Sequence, residues 1–444
     1  VSNLSLKIKK TLLLAGDIGA MYLALYLTLI IRLGYPLGQN WQRHLLPFSA
    51  IFIIWLIVFF INDLYSLKIS YNTNNLINIL VKISIFNILL AITFFYSIGP
   101  FLDTIKPQRI LIIDIVLTAI TIFAWRKIFY KFVKSSTIAN KVLIIGSSPL
   151  CEELAEQIAK RPQLGYQAKL IKEPTEDLKW YCLKENTDIL VSGYNIQKNS
   201  KATRKIFDCL SLGIDVYSLT SFYEQITGRV PVEHINHTWF LENLSEHSKK
   251  TYEVTKRVGD VILAIIGLII AVPLSPLIIL AIKLESRGPA IFKQYRVGKN
   301  SKKFLAMKFR SMVQDSEKNG PQWTNKGDPR VTKVGQFIRK TRLDDIPQLI
   351  NILRGEMSFV GPRPEQPEFV KTLNDKVPFY RERLLVKPGI AGWAQLNAPW
   401  HGASEKDTKE KIQYDLYYVK NRSLITDISI LLKTAKIVFS AKGQ

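Results

Sequence analysis

The chain is poor in cysteine and in acids. Its 444 residues hold three cysteines, Cys151, Cys182 and Cys209, with no C-x-x-C spacing. That excludes a disulfide scaffold. An odd count in so long a chain points to reduced thiols in a cytosolic region, where cysteine acts as a small buried hydrophobe. Long polar tracts are missing and 48% of the residues are hydrophobic, which excludes a disordered chain. Acids number 36 against 60 Lys+Arg, a net charge of +24. Such an excess suits nucleic acid, or else an anionic membrane surface and phosphorylated substrates. Where the charges lie decides between them. At about 150 residues per domain, the length suggests roughly three units.

Four apolar runs come first, at 11–31, 45–61, 76–98 and 110–125. Each is close to the ~20 residues a helix needs to cross a bilayer. A signal peptide fits poorly, because the first run is too long and three more follow. Lys7, Lys9 and Lys10 precede the first run; Arg126, Lys127, Lys131, Lys134 and Lys141 follow the fourth. The positive-inside rule therefore puts both ends of a four-helix transmembrane bundle (1–135) in the cytoplasm. Asp17 and Asp114 lie near the ends of their runs, so contact with headgroups, water or a helix terminus is expected.

Between 136 and 248 the pattern becomes that of a Rossmann-like α/β domain with a parallel sheet. KVLIIG (141–146), TDILVSG (187–193) and GIDVYSL (213–219) read as strands, and 147–160 as an amphipathic helix. A dinucleotide fingerprint needs three glycines, whereas here Gly146 is followed by Ser147, Ser148 and Pro149. A regulatory or packing role is expected.

A fifth apolar run occupies 258–284. Pro273 and Pro276, with Ser275 between them, predict a break, and the Ser275 hydroxyl is placed to satisfy a freed carbonyl. Lys249, Lys250, Lys256 and Arg257 stand before the run; Lys283, Arg287, Lys293 and Arg296 stand after it. Positive charge at both ends predicts a hairpin that enters and leaves the membrane on one side.

The remaining chain carries the chemistry. In 331–340 a helix is predicted with Val331, Val334, Phe337 and Ile338 on one face. Asp344 and Asp345 then precede Pro347 and a short helix stopped by Gly355, which places both acids at a helix N-terminus. Two acids among many cations suit Mg²⁺ and phosphate, and an ionised aspartate can attack phosphorus. N-capping is the plain alternative. Arg363 follows between two prolines, presented by a stiff turn in a way that matches phosphate geometry. Gly389 and Gly392 allow close backbone approach.

LDDIPQLINILRGEMSFVGPRP, with KFRSM and KPGIAGWAQLN around it, resembles the bacterial polyprenyl-phosphate sugar-1-phosphate transferases over about 255–444. The order of parts resembles the long form of that family, typified by the undecaprenyl-phosphate galactose and glucose phosphotransferases. The resemblance implies an α-rich catalytic domain (249–444) anchored by a re-entrant membrane helix hairpin, on the cytoplasmic face of the bacterial inner membrane. It implies transfer of sugar-1-phosphate from a nucleoside-diphosphate sugar, usually UDP-linked, to polyprenyl phosphate, with UMP leaving and Mg²⁺ as cofactor. That step initiates exopolysaccharide, capsule or O-antigen (lipopolysaccharide) assembly. The nucleophile's role falls on Asp344, through a covalent phosphosugar intermediate. Asp345 stands where the family has glutamate, one methylene longer, and both acids are expected at the metal. Lys308, Arg339 and Arg363 match the family's cations near phosphate, and Ser275 with Pro276 matches its membrane-helix break. A homodimer is a family expectation.

The competing reading is a membrane-tethered nucleotide-sugar dehydratase or reductase. It needs a Tyr-x-x-x-Lys, for which Tyr194/Lys198 and Tyr130/Lys134 are the candidates. A non-catalytic scaffold or transporter leaves the 308–397 cluster unexplained. Nucleic-acid binding is not expected, since much of the basic charge flanks membrane segments or the phosphate-like site, where anionic lipids and substrate would meet it.

Overall fold

A computed structural model describes residues 6–67, 73–97, 108–134, 139–194, 200–244, 249–314, 316, 327–398 and 405–439. The chain forms two compact units, Val1–Thr227 and Gly228–Gln444.

The first unit opens with four helices, α1 (Leu6–Leu33), α2 (Gln39–Ile61), α3 (Thr73–Ser97) and α4 (Gln108–Lys134). Helices α1 and α2 and residues 74–97 are long and apolar enough to cross a membrane. Met21, Leu25, Phe48, Phe52 and Trp55 pack inward, while Leu23, Ile53, Ile85 and Ile112 remain exposed. Helices apolar on both faces suit a bilayer, where the outer side chains meet lipid.

Four charges depart from expectation. Asp17 does not reach headgroups. It is fully buried and pairs at 2.5 Å with Arg126 of α4, whose guanidinium also donates to the Leu64 carbonyl. Arg126 thus serves a buried ion pair rather than flanking a span. Asp114 is fully buried as well. Lys9 is likewise enclosed, donating to the carbonyls of Leu164 and Gly165. The N-terminal end of α1 and the C-terminal end of α4, through Phe129 and Val133, both pack on the α/β layer that follows. Both ends of the helical bundle thus dock on one layer.

That layer runs β1 (Asn140–Ile145), α5 (Pro149–Ala159), β2 (Tyr166–Ile171), α6 (Leu178–Glu185), β3 (Ile189–Ser192), α7 (Ser200–Cys209), β4 (Asp215–Ser218) and α8 (Leu219–Thr227). The sheet is parallel, in the order β2-β1-β3-β4, with Val142 opposite Ala168 and Leu143 opposite Leu190. Val142 and Ile144 face one core and Leu143 and Ile145 the other, the two-residue period of a strand covered on both sides. The three cysteines are buried and unbridged. Gly146 has φ +149°, and a Cβ there would lie 3.0 Å from the Cys151 sulfur and 3.2 Å from Gly193 Cα. Protein therefore crowds the turn where a pyrophosphate would approach. The Tyr194 hydroxyl donates to the Lys172 carbonyl, while Lys198 and the Lys134 side chain lie outside the described residues.

The second unit begins earlier than the expected boundary at 249. Val230, Val232 and Trp239, the last on α9 (His237–Asn243), pack with Val377, Tyr380, Ile412 and Leu416. Then come α10 (Lys250–Glu285), the antiparallel pair β5 (Ile291–Val297) and β6 (Lys303–Phe309), α11 (Lys333–Lys340) and α12 (Gln348–Arg354). They are followed by β7 (Ser358–Val360), α13 (Pro367–Lys376), β8 (Gly389–Ala391), α14 (Trp393–Asn397), α15 (Glu405–Asn421) and α16 (Leu424–Phe439).

The predicted break in the fifth apolar run is not seen in the secondary structure. Helix α10 is continuous for 36 residues with Pro273 and Pro276 inside it. Ser275 Oγ donates to the Ala271 carbonyl, not to those of Ile269 or Val272 that the prolines leave without N–H partners. Such back-bonding bends a helix without interrupting it. Both ends of α10 are tied to the same domain. Near its start, Arg257 donates to the Ile352 and Leu353 carbonyls, and Asp260 accepts from Ser358 Oγ and the Phe359 N–H. At its end, Glu285 accepts from the N–H groups of Lys333 and Val334. Between these ties Ile269, Ile270 and Leu277 stay exposed.

Removing one partner of a buried ion pair strands the other charge. Asp17→Asn is expected to destabilise the protein by about 3 kcal/mol or more, and Asp17→Leu/Arg126→Met to recover most of that. Thermal unfolding in detergent checks both; a single variant as stable as wild type would refute the account.

Candidate active site

The acid pair sits in a 3-10 turn, Leu343–Asp345, directly before α12. Arg342 enters this turn with a left-handed backbone, φ 60°, which turns the chain sharply out of α11. Thr332 caps α11 by accepting from the Gly335 N–H, and Gly355, at φ +80°, ends α12 as its spacing predicted. Ile338 is buried under α11 and Val334 half-buried. Phe337, expected on the same face, is 61% exposed, and Val331 precedes the helix. A stripe at i and i+4 leaves i+3 at its edge, free to turn outward.

The two carboxylates occupy different environments. Asp345 Oδ1 accepts from Lys308 Nζ of β6 at 2.6 Å and from Gln348 Nε2 of α12 at 2.6 Å. Burial alone would raise its pKa, but the Lys308 ammonium, and then Arg363, hold it below the ordinary carboxylate value. Asp344 is 7% exposed, and among the described residues its Oδ1 has no hydrogen-bond partner. Burial, and then the charge of Asp345, raise its pKa to about 6 against the pull of Lys308, Arg339 and Arg342. One acid is thus clamped and ionised, while its neighbour is enclosed and less fully compensated.

Each cation has its own mount. Lys308 extends from β6, which is stapled to α12 by Asn351. The Asn351 amide donates to the Leu305 carbonyl and to Glu356, and its Oδ1 accepts from the Met307 N–H. Arg339, on α11, is half-buried and donates through Nε to Ser311 Oγ at 2.7 Å. Gly335 is needed for that contact, because a Cβ there would fall 2.0 Å from the Ser311 carbonyl oxygen. Arg363 is exposed, and its own carbonyl accepts from Arg383 at 2.8 Å. Arg383 is buried, pairs with Asp415 and touches the Tyr380 hydroxyl, so a buried ion pair fixes the Pro-Arg-Pro turn. Gly361 and Gly389 then let β7 and β8 meet, since a Cβ at Gly389 would sit 2.1 Å from the Gly361 nitrogen.

Lys308, Arg339, Asp344 and Asp345 therefore converge, with Arg363 close enough to act on Asp345. Ser275 and Pro276 belong to α10 rather than to this cluster. Asn351, Gln348, Arg383 and Asp415 were not singled out from the sequence. An amide within a short helix and an ion pair 32 residues apart carry no local signal there.

A divalent cation can be tested against this donor set. Among the described residues no three His, Cys, Asp or Glu side chains gather to form a protein cage. Two adjacent carboxylates, one with an unpartnered buried oxygen, fit Mg²⁺, which takes one or two carboxylates and completes its sphere with phosphate and water.

The sequence family described as bacterial sugar transferase matches residues 251–441. Over 235 residues the chain is 42% identical to a UDP-N-acetylgalactosamine-undecaprenyl-phosphate N-acetylgalactosaminephosphotransferase of Aeromonas hydrophila, covering 53% of this chain and 55% of that protein. It is 35% identical over 322 residues to a UDP-glucose:undecaprenyl-phosphate glucose-1-phosphate transferase of Klebsiella pneumoniae, covering 66% and 67%. It is 41% identical over 212 residues to an undecaprenyl-phosphate galactose phosphotransferase of Salmonella typhimurium, covering 44% and 43%. The matches span from under half to about two thirds of these relatives. The chain belongs to the bacterial sugar transferase family.

The folded chain holds the Asp344 proton more tightly than the unfolded chain does. Protonation therefore favours the fold at acid pH, and that contribution is lost as pH rises through about 6. Asp344→Asn is expected to be more stable than wild type by about 3 kcal/mol at pH 7.5, the gap narrowing toward pH 4. Melting temperatures across that range check this; a gap independent of pH would contradict it.

Proposed function

We propose that the protein transfers sugar-1-phosphate from a nucleoside-diphosphate sugar, most simply a UDP-sugar, to polyprenyl phosphate. The observation that carries this reading is the division of the acid pair: a clamped Asp345 beside a buried, unpartnered Asp344, ringed by Lys308, Arg339 and Arg363.

Asp344 is the nucleophile. Its carboxylate attacks the phosphorus that bears the sugar. A P–O(aspartyl) bond forms, the P–O bond to the nucleotide breaks, and UMP leaves with that electron pair. A phosphate oxygen of the lipid then attacks the same phosphorus and releases Asp344 as carboxylate, giving polyprenyl-diphosphate sugar. No net proton is needed. Low compensation of Asp344 raises its basicity and keeps its lone pair available. Lys308, Arg339 and Arg363 face the negative charge that develops on the phosphoryl oxygens. Asp344 and Asp345 would hold Mg²⁺, which supplies further charge neutralisation at the diphosphate. Asp345, held by Lys308 and Gln348, keeps the turn in register beneath the nucleophile.

The same reading places the site at the cytoplasmic face of the inner membrane and makes the reaction the first step of a surface polysaccharide. The two ties of α10 to one domain support a helix that dips into one leaflet and returns. Its exposed Ile269, Ile270 and Leu277 would then lie among the acyl chains. The nucleotide-sugar dehydratase reading has little support here, with Tyr194 bonded to a backbone carbonyl and the glycine turn crowded.

Purified protein incubated with polyprenyl phosphate and a panel of radiolabelled nucleotide sugars is expected to release UMP with one of them. Asp344→Asn should lose turnover by a factor on the order of 10³ or more and trap no covalent phosphosugar. Asp345→Glu should keep substantial activity. Undiminished turnover by Asp344→Asn would overturn the assignment. For topology, Val254→Cys and Leu284→Cys, at the two exposed ends of α10, should react with an impermeant thiol reagent from the same side of sealed vesicles. Labelling from opposite sides would mean a span.

A further inference from the structure

A cavity of about 190 Å³ opens beside the acid pair. Arg342 and Asp345 stand at one end of it. Apart from Gln395 and Thr434 the rest is apolar, chiefly Ile346 and Leu349 before and within α12, Ile390 of β8, Leu396 of α14 and Ile437 of α16. The proposed reaction does not yet use this space, nor Arg342.

The occupant can be argued from three observations. The first is the lining. A nucleotide sugar carries polar groups on every ring, and a wall mostly of isoleucine and leucine, with one amide and one hydroxyl, would leave most of them without hydrogen bonds. The second is the far side of the wall. Leu349 also packs against α10, where a Cβ on Gly267 would meet its Cδ1 at 3.0 Å, and Ile346 packs on the same buried cluster as Ile278 and Ile279 of α10. The cavity is therefore backed by the helix whose opposite face is exposed and apolar, so it adjoins the hydrocarbon. The third is Arg342. Its backbone is held at φ 60°, a left-handed conformation that a non-glycine residue rarely adopts. Its side chain is half-buried, and its charge acts on Asp344 and Asp345 without a side-chain hydrogen bond to either among the described residues. A half-buried guanidinium so placed is available to a phosphate.

We propose that this cavity is the acceptor subsite: Arg342 takes the phosphate of the lipid, and the apolar wall formed with α14 and α16 takes the first prenyl segment of its tail. The inference rests on the phosphosugar-transferase reading and extends it. The C-terminal helix α16 becomes part of the lipid's binding surface, and the acceptor's phosphate oxygen is led to the acid turn from the membrane side. An amphiphile entering from the bilayer need not leave it, because only its head and first prenyl units pass the α10 wall.

The test uses the full chain in detergent, with farnesyl phosphate as a short acceptor and the preferred UDP-sugar as donor, following UMP release. Thr434→Trp puts a large side chain into the cavity from α16, away from the acids. It is expected to raise the acceptor KM on the order of tenfold, with the donor KM unchanged. Leu396→Ala, which widens the cavity, should raise the acceptor KM a few-fold and serves if the tryptophan variant does not fold. Arg342→Gln should raise the acceptor KM for prenyl phosphate while leaving inhibition by farnesol, which lacks the phosphate, unaltered. An unchanged acceptor KM in a folded cavity variant, or a rise in donor KM instead, would overturn the subsite and leave the transferase reading intact. Absence of UMP release by wild type with every donor would instead sink the transferase reading itself.

Discussion

The contact between Lys308 and Asp345 makes two adjacent, chemically identical side chains unequal. Side by side in a buried turn, two carboxylates would compete for the same cations. Lys308 and Gln348 settle the competition in favour of Asp345, and Asp344 is left enclosed with weaker compensation. An aspartate so placed has a pKa well above its usual value and remains largely ionised at neutral pH. The cost is local stability, as is common where chemistry needs an uncompensated group. The rest of the second unit serves this division. Asn351 holds β6 to α12 so that Lys308 reaches the turn, and the Arg383–Asp415 pair holds the Pro-Arg-Pro segment across from it.

The site is also stitched to α10. Arg257 occupies the terminal carbonyls of α12, Asp260 binds the start of β7, and Glu285 caps α11. Three elements that carry or border the acid pair and its cations thus hang from one apolar helix. This suits a reaction between a water-soluble donor and an acceptor confined to a bilayer. In such an arrangement the depth of the helix in the membrane sets the height of the acids above it.

Much of this was legible in the sequence. Hydropathy marked all five long apolar segments, and β-period runs marked three of the four parallel strands. The fourth, β2, was not singled out, because Gln167 and Lys169 interrupt its apolar residues. The LDD turn, the Pro-Arg-Pro segment and KFRSM were recognisable because the residue types are chemically unusual in sequence. What escaped was whatever depends on distant partners. Asp17 sits near a predicted span end and reads as interfacial, yet Arg126 lies opposite it across the α1–α4 contact. The continuity of α10 through two prolines shows the same limit: local propensity argues for a break, and packing along the domain at both ends keeps the helix whole.

The lysine near the start of the chain has a bearing on biosynthesis. Lys9 finds its acceptors, the carbonyls of Leu164 and Gly165, 155 and 156 positions later. During translation the first helix is inserted long before those carbonyls exist, so its ammonium must wait in the hydrated interface. Only when the β1–β2 crossover has emerged and folded can that group be enclosed. A helix made before the sheet layer is therefore locked only after it, and the nascent bundle stays adjustable until that layer closes over its end.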